Sequence, residues 1–180
     1  AVRPGWVLTL ASGANGEPAG ASAQDFLGDF DGSGCVPEDR DTRFTDVGQD
    51  FCAAQGFGHV EGRGVGMAWL GNWNYPYSLP TGDWRGEMSI PRELSLTTIG
   101  GKRTLVQKPI PVLDALRGRA TDLSGLKATD TVTALGSGRT VEIDLTLDVS
   151  QASEAWLGLA RGTVDGKTQE VRVGVDISAG

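Results

Sequence analysis

Apolar residues at every second position, Val141, Ile143, Leu145, Leu147 and Val149, alternate with Glu142, Asp144, Thr146 and Asp148 in the strongest pattern the chain contains. Alternation of this kind puts one set of side chains on each face of an extended backbone, so Thr140 to Val149 is predicted to be a half-buried antiparallel strand. Two more strands are predicted over Glu154 to Arg161 and Gln169 to Ile177, with Asp165-Gly166 supplying the positive φ angles of a hairpin turn between them. Earlier in the chain, Trp6 to Leu10, Gln24 to Phe30, Phe51 to Phe57, Val65 to Leu70 and Glu87 to Ile90 are short strand candidates bounded by Gly, Asp, Asn or Pro. Glycine contributes 27 of 180 residues, about twice the usual share of roughly 7%, so many tight turns are implied. Helical periodicity is poor, and the single local candidate is a connector over Pro111 to Arg117. The fold class is therefore all-β: a sandwich, barrel or propeller.

Aromatic residues mark an internal boundary. All of the Trp except Trp156, both Tyr, both Met and all Phe precede Gln107, whereas the remainder is Val, Leu and Thr with short charged turns. A boundary is expected near 108–115. A net charge of −7 offers no basic footprint for nucleic acid or an anionic membrane, and no apolar run approaches the roughly 18 residues of a membrane span. Cys35 and Cys52 could form a disulfide, with a stabilisation of about 3 kcal/mol for a loop of that size, or be two buried thiols.

Several motifs fail on inspection of their chemistry. Asp29-Phe30-Asp31-Gly32-Ser33-Gly34 begins with the spacing of a calcium loop, but Arg40 stands where the closing Glu belongs, so a strand end turning at Asp31-Gly32 is expected and no metal site. Gly62, Gly64 and Gly66 do not have dinucleotide spacing and no βαβ pattern surrounds them. His59, the one histidine, has no nucleophile elbow to serve and is expected in a surface loop. What remains is a kit of carboxylates, Asp46, Asp50, Glu87 and Glu93, with Trp69, Trp73, Tyr75, Tyr77 and Trp84. Carbohydrate chemistry uses such a kit, because aromatic faces cover the C–H side of a sugar ring while carboxylates bond or attack it.

The segment Arg63-Gly-Val-Gly-Met-Ala-Trp69-Leu-Gly-Asn72-Trp73-Asn-Tyr75 and its continuation Leu79-Pro80-Thr81-Gly-Asp-Trp84-Arg85-Gly-Glu-Met88-Ser-Ile90-Pro91-Arg92-Glu93-Leu94 carry a resemblance. They are similar to the invertase, levanase and inulinase β-fructosidases, glycoside hydrolase family 32. Asp25-Phe26-Leu-Gly28-Asp29-Phe30-Asp31-Gly32 and Asp46-Val-Gly48-Gln-Asp50-Phe51-Cys52-Ala53-Ala54-Gln55 resemble the preceding family segments in the right order, with Cys52 in place of the usual Tyr.

The resemblance implies a partial five-bladed β-propeller of about two blades over residues 1–108, a linker at 109–114, and the opening strands of a β-sandwich over 115–180. It also implies a secreted enzyme that cleaves β-fructosyl linkages in levan, inulin or sucrose with retention, without a cofactor. The family's nucleophile, transition-state-stabilising and acid/base motifs would all lie before Trp6. The chain is therefore expected to be an internal fragment, inactive alone and completed by the rest of the polypeptide or by a companion chain; no catalytic residue is assigned. By resemblance the substrate-side wall comprises Asp46, Gln49 and Asp50 at the start of one strand and Asn72 and Trp73 at the end of the next, with Arg85, Arg92 and Glu93 as framework. A non-catalytic carbohydrate-binding module is the alternative, and an independent hydrolase using Asp29 or Asp50 with Glu87 ranks third.

Overall fold

The structure, a computed structural model, describes residues 5–12, 22–41, 43–60, 62–79 and 81–178, with residue 59 described through its backbone alone. The chain divides into two compact units, Ala1–Leu116 and Arg117–Gly180. Both are all-β apart from a 3₁₀ helix over Pro111–Leu116, where a connector was expected.

The first unit holds two antiparallel sheets. Strands β1 (Trp6–Ser12), β2 (Ser22–Phe30) and β3 (Cys35–Pro37) lie in the order β1-β2-β3. Strands β4 (Cys52–Val60), β5 (Arg63–Leu70), β7 (Arg92–Ile99) and β8 (Lys102–Pro109) follow one another as an up-and-down meander, the arrangement of a propeller blade. A two-residue β6 (Glu87–Met88) pairs with the far end of β5. The core between the sheets is made of small residues around one ring: Ala23 from β2 and Ala68 from β5 enclose Phe51, with Ala54 and Leu70 packed alongside. Alanine on both sides lets the backbones approach the Phe51 ring closely.

A bulge at the start of β4 positions that ring. The register steps from Cys52 opposite Trp69 to Gln55 opposite Met67, so Ala53 and Ala54 together face Ala68, and Ala53 adopts a φ of 51°. An extra residue on one strand kinks it and breaks the strict alternation. Phe51 and Cys52, immediately ahead of the bulge, are both buried. Cys35 and Cys52 are free thiols, and no disulfide joins them.

Three expectations need correction. Thr140 to Val149 is outside every ladder, and Val141, Ile143, Leu145 and Leu147 remain 39–59% exposed. Alternation sets the faces a strand would have, but a ladder needs a neighbouring backbone, and none of the described strands runs beside this segment. The candidate Glu87 to Ile90 shrinks to two residues because Ser89 takes over the next pairing. Its hydroxyl accepts from Ala68 N–H at 3.0 Å while its N–H donates to Ala68 C=O at 2.8 Å, and Pro91, without an N–H, follows. His59 lies within β4 and not in a loop, its side chain being outside the described residues.

The second unit contains the expected hairpin of β9 (Glu154–Val164) and β10 (Lys167–Asp176). Asp165 and Gly166 have φ of 49° and 74°, the positive pair of a type I′ turn. A second hairpin of the same construction, β7–β8 in the first unit, turns at Gly100 and Gly101 with φ of 58° and 80°. None of the helices among the described residues is long and apolar enough to cross a membrane.

Candidate functional site

Two loops of the first unit meet beyond the paired ends of β4 and β5, because Cys52 lies opposite Trp69 in that ladder. The loop before β4 carries Asp46, Gln49 and Asp50, and the loop after β5 carries Asn72, Trp73 and Tyr75. Two side-chain hydrogen bonds join them. Asn72 Nδ2 donates to Gln49 C=O at 2.8 Å, and the Tyr75 hydroxyl donates to Asp50 Oδ1. The second loop is itself folded by successive turns, with Tyr75 N–H on Asn72 C=O and Ser78 N–H on Tyr75 C=O, both at 3.1 Å. Burial and the neighbouring Asp50 carboxylate push the Tyr75 hydroxyl up to about 12, so it stays a donor at any physiological pH.

The five residues expected to form the wall lie in these two loops with different exposures. Trp73 is 62% exposed, and its ring leans on Trp69 with centroids 5.2 Å apart at 60°. Gln49 is exposed and Asp50 half-buried. Asn72 is 1% exposed, its Oδ1 accepting from Asn74 N–H at 2.9 Å, so its amide holds the loops together and does not face solvent. Asp46 is likewise engaged, pairing with Arg92 at 2.8 Å and accepting from Gly48 N–H at 2.7 Å.

Framework surrounds this patch. Arg92, between Asp46 and Gln107 (3.3 Å), sits with its guanidinium carbon 4.5 Å above the centroid of the Phe51 ring. Arg85 ties its own loop by donating to the carbonyls of Thr81, Gly82 and Trp84. Glu93 stands opposite Lys108 in the β7–β8 register. Trp69 is seated by glycines: a Cβ on Gly71 would lie 2.2 Å from the ring and one on Gly86 would lie 2.6 Å from Nε1.

The sequence reading names Asp46, Gln49, Asp50, Asn72 and Trp73 together, but neither the bond from Tyr75 to Asp50 nor the glycine seat of Trp69 is part of it. A 25-residue separation hides the Tyr75–Asp50 bond. The available signal was that Asp50 stands just before one strand of the matched segments and Tyr75 a few residues beyond the next.

The calcium-like Asp31 is a turn former. Its Oδ1 accepts from Ser33 N–H (2.8 Å), Ser33 Oγ–H (2.9 Å) and Gly34 N–H (2.8 Å), closing the link from β2 to β3. The Gly34 and Ser33 donors hold its carboxyl at about 2, below the ordinary 3.8. A depressed folded-state value contributes stability that is present above pH 3.8 and lost as pH falls through about 2. Asp31→Asn, which keeps the acceptor but not the titration, is expected to flatten the acid side of the stability profile in that window. Urea unfolding at a series of pH values checks this, and an unaltered slope would refute it.

The profile of the glycosyl hydrolases family 32 N-terminal domain matches residues 2–109. Over 179 residues the chain is 34% identical to a levanase of Bacillus subtilis, an alignment covering 95% of this chain and 26% of the levanase. Identity to an extracellular exo-inulinase of Aspergillus awamori is 31% over 190 residues, covering 96% of this chain and 34% of that protein. The structure of a fructofuranosidase from Schwanniomyces occidentalis complexed with fructosylnystose superposes with a TM-score of 0.71 at 26% identity, over 99% of this chain and 38% of that one. The chain spans about a quarter to a third of the length of these curated relatives.

Proposed function

The chain belongs to glycosyl hydrolase family 32, and from that premise we propose that it is a segment of a secreted, retaining hydrolase of β-fructosyl linkages in levan, inulin or sucrose. In this reading residues 1–108 are the closing part of the propeller, 109–114 a linker, and 115–180 the first strands of a β-sandwich. The carboxylates that break the bond come from the remainder of the polypeptide or from a companion chain. Retention then runs as a double displacement, one carboxylate attacking the anomeric carbon and the other protonating the leaving oxygen, about 5–5.5 Å apart.

The present residues supply binding. The observation that carries the reading is the joined pair of loops, which presents the exposed Trp73 ring beside a carboxylate, Asp50, held by Tyr75. An indole face covers the apolar side of a fructosyl ring, and a carboxylate oxygen accepts from its hydroxyls. Asn72 and Gln49 fix the spacing, and the Asp46–Arg92 pair supports the loop from below. The half-exposed apolar row of Trp6, Leu8 and Leu10 on β1 fits a blade flank that another part of the polypeptide covers.

In the full-length polypeptide, Trp73→Ala is expected to weaken levan or inulin binding about tenfold, since losing an aromatic contact surface costs on the order of 1.5 kcal/mol. Isothermal titration, with a thermal melt to show that the fold is kept, makes the measurement. Wild-type affinity in the variant would remove this face from the binding wall.

A further inference from the structure

We propose that Tyr75 is a positioning residue for the sugar-binding carboxylate: its hydroxyl holds Asp50 in one orientation and leaves the second carboxylate oxygen for substrate. The proposal rests on the reading of Asp50 as part of the fructosyl wall. Asp50 belongs to the short loop before β4 and has no neighbouring strand of its own at that point. An unheld Asp side chain there would rotate among staggered rotamers, and each sugar bond it made would first cost that freedom.

The Tyr75 hydroxyl, donated to Oδ1, is the only hydrogen bond to this carboxylate among the described residues. The donor is itself well fixed. Tyr75 precedes Pro76, which restricts its backbone to extended conformations, and its N–H and C=O close the two turns of the loop. The buried Asn72 amide joins the same two loops a few residues away. The carboxylate thus hangs from a braced frame, with Oδ1 occupied and Oδ2 available. Trp73 is carried on that frame between Asn72 and Tyr75, so one arrangement sets both the polar and the apolar contact to a single ring.

Asp50→Asn, Tyr75→Phe and the double variant, each made in the full-length polypeptide and assayed by steady-state kinetics on the fructan it turns over, test this. Asp50→Asn is expected to raise KM about tenfold. Tyr75→Phe, which deletes only the hydroxyl, is expected to raise KM about fivefold with kcat within about twofold and a melting temperature close to that of the parent. The double variant should fall short of the product of the two single effects, because the amide oxygen that Asp50→Asn leaves accepts from the hydroxyl more weakly than a carboxylate does. Independent effects that multiply in the double variant would overturn the proposal, as would a Tyr75→Phe protein that loses kcat and thermal stability with KM unchanged. Asp50→Glu offers a second approach that leaves Tyr75 intact: it keeps the charge but shifts it by one methylene, and a parental KM there would also count against the arrangement. If Asp50→Asn leaves KM unchanged, the wall reading itself fails. If Asp50→Asn acts and Tyr75→Phe does not, only the role of Tyr75 falls.

Discussion

Gly86→Ala is expected to lower the free energy of unfolding by about 3 kcal/mol. Two costs combine. The residue sits at φ +78°, where an L side chain is strained, and its Cβ would stand 2.6 Å from the Trp69 indole nitrogen. Gly71 lies against the same nitrogen-bearing edge of the indole, at a distance that likewise excludes a Cβ, so the ring is already closely approached by backbone there. The indole must therefore tilt, and Trp73, which leans on it, loses its backing. A fall in the urea midpoint with the m-value unchanged, accompanied by an altered near-ultraviolet tryptophan signal, is the expected result. A variant with the parental midpoint would show that the indole has room for a Cβ at this position.

Arg92→Ala is expected to cost about 2 kcal/mol, less than a fully buried pair because both partners keep some contact with solvent. The Arg92 and Asp46 side chains are 23% and 24% exposed, which leaves the ion pair largely desolvated. Truncation removes three contacts at once: the Asp46 carboxylate, the Gln107 amide oxygen and the face of Phe51. Gln107, whose Nε2 donates to Thr45 C=O at 2.6 Å, loses its own orienting partner and with it the link from β8 to the loop before β4. Arg92→Lys restores a charge without the planar fork and is expected to recover less than half of the loss. Equilibrium unfolding of Arg92→Ala, Asp46→Asn and the double variant separates the pair from the packing. Strict additivity would mean that the two side chains do not interact.

The legibility of this chain followed the range of the interactions concerned. Asp165-Gly166 was read correctly because a type I′ turn is decided by two adjacent residues. Gly100-Gly101 carries the same turn signal, but the strand beyond it, Lys102–Pro109, has its apolar residues at irregular spacing and so offers no alternation to mark a hairpin. Thr140 to Val149 had the best alternation and no ladder, because pairing depends on a second strand that a local pattern does not contain. At the site, the motif pointed to Asp46, Gln49, Asp50, Asn72 and Trp73 as one surface. Which of them faces outward depended on contacts made across some twenty residues or more: Asn72 to Gln49, Tyr75 to Asp50 and Arg92 to Asp46. The glycine seat of Trp69 is likewise a distance between backbones and a ring, invisible in a string of letters.

The two hairpins closed by adjacent positive-φ residues also set an order of events. Each needs only two residues of loop, so its strands can zip within about 1–10 μs of the chain becoming free to collapse. Pairing β5 to β7 must instead close the stretch from Leu70 to Arg92, and bringing Ala23 to Phe51 spans a longer one. Those contacts carry the larger entropic barrier and come later. The Arg92–Pro109 ribbon would thus be a preformed edge onto which β5 docks once the longer segment closes, and the wall would be the last part to acquire its shape.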